Sequence, residues 1–134
     1  MGPVPPPLAL EMAAVLACGE GAVISHHRAG AVHGFGVGRS SPIDVTVPSR
    51  SSRKRPGLRV HRATQLQPDE IVYKGGVPVT SPARTIFDLA AELTIKELHR
   101  SYENAVVNRL VRASELRSLI DRPRAGPAAP PPVR

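Results

Sequence analysis

The chain has 134 residues, a net charge of +7, 15 prolines and only two Phe and two Tyr as aromatic residues. That length fits one domain, and a core restricted to Val, Leu, Ile and Ala implies modest stability. One cysteine excludes an internal disulfide framework and suits a reducing cytoplasm, and no run reaches the ~18–20 apolar residues of a membrane-spanning helix.

Prolines crowd residues 3–7 and 123–134, where missing donors and fixed φ values deny regular ladders. Disordered ends are therefore expected over 1–7 and 122–134, leaving one folded domain over 8–121. Leu8 to Cys18 reads as a helix stopped by Gly19 and Gly21. Glu11 interrupts its apolar run and no basic residue precedes it, so it makes a poor signal peptide. Cys18 reads as a small buried hydrophobe. After the brief apolar run Ala22-Val23-Ile24, Ser25 is placed to cap a second helix to about His33, with Gly34 as its stop. Residues 36–42 read as a loop.

Ile43 to Val47 alternates strictly, as a half-buried strand does, and Pro48 closes it. A polar, basic connection follows, then Leu58 to Arg62 alternates again. The two strands are expected to pair antiparallel. Ile71-Val72-Tyr73 and Val77-Pro78-Val79 flank the turn Lys74-Gly75-Gly76 as a hairpin, and Pro78 points to an edge or a ladder-free position. Ser81 is placed as an N-cap with Pro82 at the first helical position, opening a helix over 82–91. Thr94 and Glu97 form a capping box for a helix to about Asn108, and Ser114 is placed to cap a last one. Helices, then strands, then helices predict an α+β fold: a small, mostly antiparallel sheet packed by helices.

Polar residues interrupt the apolar helix after Ser81. Arg84, Thr85 and Asp88 stand among Ile86, Phe87 and Leu89. The spacing pairs Arg84 with Asp88 four residues on, and a partly buried Arg84 is expected to bond sheet carbonyls or Asp44. Ser81, Arg84, Thr85 and Asp88 thus form a structural polar set. The basic residues Arg50, Arg53, Lys54 and Arg55, followed by Arg59 and Arg62, are the nucleic-acid candidates. Charges gathered on one face would neutralise duplex phosphates without reading sequence. A solvated connection explains the same run equally well. Arginine outnumbers lysine 15 to 3, a bias that GC-rich coding sequence also produces. No catalytic residue, cofactor site or metal site is expected. His26, His27, His33 and His61 have no acid or cysteine at a ligand spacing. A Ser25-His26-Asp44 triad lacks a nucleophile-elbow motif, the acids are scattered along the chain, and residues 34–38 lack the Lys-Ser/Thr of a P-loop.

Several segments carry a resemblance as an ordered set: Ala13-Ala14-Val15-Leu16-Ala17-Cys18-Gly19, Val23-Ile24-Ser25-His26, His33-Gly34-Phe35, Val45-Thr46-Val47-Pro48, Gly57-Leu58-Arg59-Val60-His61-Arg62 and Gly76 through Ala90. Over roughly 8–120 the chain resembles the central domain of actinobacterial proteins related to the AbiEi antitoxins of type IV toxin–antitoxin systems. In such proteins a winged helix usually precedes this domain, and many continue into a Vsr-like nuclease. The resemblance implies a non-catalytic, antitoxin-like or regulator-associated domain with a nucleotidyltransferase-like toxin as partner, while the basic segment makes double-stranded DNA a further expected partner through non-specific phosphate contacts. The alternative is a truncated or frameshifted fragment of a Vsr-like endonuclease-family protein without its catalytic part. The oligomeric state is left open.

Overall fold

A computed structural model of the chain describes residues 8–36, 42–48, 55–63 and 66–123. The elements run α1 (Ala9–Cys18), β1 (Val23–Ile24), α2 (His26–His33), β2 (Ile43–Pro48), β3 (Leu58–Ala63), a 3₁₀ turn (Pro68–Glu70), β4 (Ile71–Lys74), β5 (Val77–Thr80), α3 (Pro82–Leu89), α4 (Ile95–Val107) and α5 (Ala113–Asp121). Among the described residues, five helices and a five-stranded mixed sheet make the fold α+β. Of the ends expected to be disordered, 1–7 and 124–134 lie outside the described residues, while Arg122 and Pro123 are described.

The sheet is mixed, in the order β3-β2-β1-β5-β4. β1 pairs antiparallel with β2 and parallel with β5, and β4 and β5 form the antiparallel hairpin read around Gly75 and Gly76. The expected antiparallel pairing of the two alternating strands is corrected: β2 and β3 run parallel, from Ile43↔Leu58 to Pro48↔Ala63. The reason is the connection, which at nine residues (49–57) can reach about 30 Å, more than the ~20 Å needed to return along a six-residue strand. A hairpin would use a loop of only about 2–5 residues. Pro78 is corrected from an edge to an interior strand, since β5 lies between β1 and β4. The two-residue β1 registers with β5 at Ile24↔Val79, one residue past the proline, so the missing donor interrupts little pairing.

Two apolar clusters result from the pattern. Ile24, Val45, Val47, Val77 and Val79 bury with Ala14 and Val15 of α1, and Leu58, Val60 and Met12 pack against them. Phe35, Ala83, Ile86, Ala105, Val111 and Leu119 form a second cluster among α3, α4 and α5. Helix ends are set locally. Gly34 takes a left-handed φ of 93° and stops α2, while Thr94 Oγ1 accepts from Glu97 N and Thr94 N donates to Glu97 Oε1. Two caps differ from expectation. α5 begins at Ala113 with Arg112 rather than Ser114 as its N-cap, two residues earlier, and Arg112 N donates to Glu115 Oε1 at 2.8 Å. Ser25 stands at the N-cap of α2, but its hydroxyl makes no cap bond because His26 and Thr46 occupy it.

Phe35 is 1 % exposed and anchors the helical cluster just beyond α2. Phe35→Ala is expected to cost about 3–5 kcal/mol, read as a lower urea midpoint, because the cavity it leaves cannot close fully.

Candidate functional site

The turn into α3 places the polar set. Ser81 Oγ accepts from Arg84 N at 3.1 Å, and Thr85 Oγ1 donates to Ser81 O at 2.8 Å while lying 2.7 Å from Thr80 Oγ1. These bonds aim Arg84 back along the sheet. Its Nε bonds Asp88 Oδ1 at 2.8 Å and its Nη1 bonds Glu70 Oε1 at 2.9 Å, with Cζ 5.5 Å from the centre of the Phe87 ring. The partner predicted as Asp44 is therefore corrected to Glu70. The 3₁₀ turn projects Glu70 inward just before β4, and this carboxylate is 1 % exposed. Its other oxygen takes Arg122 Nη1 at 2.7 Å, and Arg122 also forks onto Asp69 at 3.1 Å, tying the end of α5 to the turn. Burial pushes the Asp88 carboxyl above its ordinary value, more than the Arg84 charge and bond pull it down.

Beside this network lies a second polar cluster. In the β2–β3 register Asp44 opposes Arg59 and Thr46 opposes His61, so all four share one face. His61 Nε2 lies 2.9 Å from Asp44 Oδ1, and Asp44 Oδ2 accepts from Arg28 N at 3.4 Å. The His26 ring stacks on His61 with centroids 3.7 Å apart and planes 9° apart. His26 Nδ1 is 2.8 Å from Ser25 Oγ, which also accepts from Thr46 Oγ1. His26 reaches this position with a left-handed φ of 52°, unusual for a residue bearing a side chain. Just after α3, Glu92 places Oε1 3.0 Å from His27 Nε2 and Oε2 4.0 Å from His26 Nε2. Burial, followed by the neighbouring His61, lowers the His26 pKa to about 3, so the ring is neutral near pH 7. For Asp44 burial alone would raise the pKa, but the His61 bond and the charges of His61, Arg59 and His26 together hold it below the ordinary value.

The fold thus gathers groups that sequence spacing kept apart. His26, His27 and His61 have no acid near them in the chain, yet Asp44 and Glu92 come to them from β2 and from beyond α3. The acids are likewise gathered rather than scattered: Glu70, Asp88 and Asp69 surround Arg84 and Arg122. The paper triad is not assembled, because Asp44 bonds His61 instead of His26 and Ser25 is fully buried. His33 stays apart, with its Nε2–H on Thr80 O at 2.8 Å.

Arg59 and Arg62, two of the nucleic-acid candidates, do not share a face. Arg50, Arg53 and Lys54 lie outside the described residues. Arg59 and Arg62 are three apart on one strand and therefore leave opposite faces, Arg59 beside Asp44 and Arg62 opposite Val47. Arg59 Nε stands 3.7 Å from Asp44, which ties part of its charge inward, and Arg55 is half-buried. The period-2 rule already separates positions 59 and 62, a signal present in the sequence.

Elsewhere, α3, α4 and α5 enclose an apolar groove of about 730 Å³ lined by Phe87, Ile95, Leu98, Tyr102, Leu116 and Ile120. Ile95 is 83 % and Ile120 62 % exposed at its rim. Among the described residues no helix is long and apolar enough to cross a membrane.

Residues 16–126 match a family model described as the AbiEi antitoxin C-terminal domain. The comparison with curated proteins found no match.

Arg84 bridges two buried carboxylates, so Arg84→Met is expected to lower unfolding free energy by about 3–5 kcal/mol in urea titrations. Asp88→Asn should cost much less. Its sign with pH is also fixed. A raised folded-state pKa means that the stabilising contribution is complete below the unfolded Asp pKa and is lost as pH rises. Asp88→Asn should therefore gain on the wild type between pH 3 and pH 7, as measured by paired denaturation curves.

Proposed function

The chain belongs to the AbiEi antitoxin family, and we propose that it acts by protein contact and without catalysis, neutralising a nucleotidyltransferase-like toxin. Family membership implies a toxin as partner. The observation that carries the reading is the groove among α3, α4 and α5. Ile95 and Ile120 stand exposed around a concave apolar surface, the kind of patch that marks an interaction site. A concave apolar centre of this kind suits the core of a protein interface. The absence of catalysis is supported by the bonding of the convergent groups. Glu70 and Asp88 are held by Arg84, Asp44 is held by His61, and the Ser25 hydroxyl is sealed from substrate.

A second reading rests on the net charge of +7, which draws the chain to polyanions. We propose that duplex DNA is contacted non-specifically through the basic segment from Arg50 to Arg55, with Arg59 and Arg62 contributing on separate faces.

Co-purification with a nucleotidyltransferase-like toxin and rescue of toxin-arrested growth test the first reading. The wild type should bind and rescue, and Ile95→Glu with Ile120→Glu should weaken binding at least about tenfold while the domain stays folded. Rescue without any complex overturns the contact mechanism, and unchanged affinity of the double variant removes the groove from it. For DNA, affinity should fall steeply between low and physiological salt, and Arg53→Ala with Arg55→Ala should flatten that slope by roughly two counterions. No shift of duplex at low salt removes this component.

A further inference from the structure

We propose that His26, His61 and Glu92 bind a divalent transition-metal ion of the Zn²⁺ class, clamping the start of α2, strand β3 and the segment after α3 around one centre. One donor atom from each residue lies within 4.8 Å of the others. Ligands around tetrahedral zinc, at bonds of about 2.0–2.1 Å, sit roughly 3.4 Å apart. The donors must therefore close by little more than an ångström, within the reach of the Glu92 carboxylate and of imidazole rotation.

The surroundings are those of a supported site. Asp44, 1 % exposed, holds His61 through Nε2 at 2.9 Å. Ser25, wholly buried, holds His26 through Nδ1 at 2.8 Å and is itself fixed by Thr46. With Nδ1 donating to Ser25, His26 turns the lone pair of Nε2 toward Glu92 Oε2, 4.0 Å away. His27 Nε2 steadies the other oxygen of the same carboxylate. Carboxylate and hydroxyl partners behind ligating histidines set ring orientation and basicity, and they are a recurring feature of zinc centres. The left-handed backbone of His26 is strain kept at the one residue that must face both His61 and Glu92. Ligation replaces the ring stack. Arg59, whose Nη1 stands 4.0 Å from Glu92 Oε1, is the cation the ion would move aside, and at 46 % exposure it is free to swing out.

The test is calorimetric titration of the full chain with Zn²⁺ alone, repeated with Co²⁺ to read a tetrahedral absorption band. One ion per chain should bind. His26→Ala and His61→Ala should each weaken uptake about 100-fold, and Asp44→Asn should do so about 10-fold by releasing the ring behind the ion. His99→Ala changes an exposed histidine paired only loosely with Glu103, 3.8 Å away, and should leave binding unchanged. Should the buried variants fail to fold, Glu92→Gln decides, because residue 92 is exposed and the change keeps its shape. Weakening by Glu92→Gln supports the site. No saturable uptake at micromolar Zn²⁺, or a loss with His99→Ala equal to that with Glu92→Gln, overturns it.

Discussion

The guanidinium of Arg84 is the point on which the two halves of the domain meet. It leaves the first turn of α3, which belongs to the helical cluster, and bonds Glu70, which belongs to the turn feeding the sheet. Glu70 then accepts Arg122 from the end of α5, so one buried carboxylate receives two arginines from separate parts of the helical layer. Burying such charges is costly unless every partner is present, and here each is bonded. The network therefore does more to fix orientation than to add net stability. A chain poor in aromatic residues has little else with which to set the angle between a valine-rich sheet and a leucine- and alanine-rich helical layer.

Between the two apolar clusters runs a polar seam. Thr80, Thr85 and Ser81 bond one another at the sheet end of α3, and His33 reaches Thr80 O from α2. Further along, Ser25, Thr46, His26, His61 and Asp44 form a continuous set of short contacts beneath the start of α2. Coulomb effects join the parts, since His61 acts on Asp88 and Arg84 acts on His26. The proposed roles divide accordingly: the outer helical face is apolar, and the seam gathers histidine and carboxylate groups at one end.

What the sequence disclosed was local. Ser81 before Pro82, Thr94 before Glu97 and Gly34 after His33 each act within one helical turn, and their signals lie in adjacent residues. The alternation of Ile43, Val45 and Val47 marks one face of a strand whichever partner it takes. Pairing direction is a different matter. It depends on the connection between the strands, and the sheet order depends on β1, two residues long, lying between β2 and β5, where no periodicity can be measured over Val23-Ile24. Glu70 was likewise hidden, because a Pro-Asp-Glu turn reads as solvated until the fold turns its last side chain inward. The histidine cluster needed four stretches of chain brought together, of which only 26–27 is contiguous. By contrast, the opposite faces of Arg59 and Arg62 follow from strand geometry alone.

A double-mutant cycle between Arg84 and Glu70, with Arg84→Met, Glu70→Gln and the combination unfolded in urea, measures the link between sheet and helical layer most directly. Two buried charges joined at 2.9 Å should give a coupling energy of about 1–3 kcal/mol, with the pair of substitutions costing less than the sum of the two. Additive losses would contradict it, showing that the layers are held by their apolar contacts and that the arginine bridge is incidental.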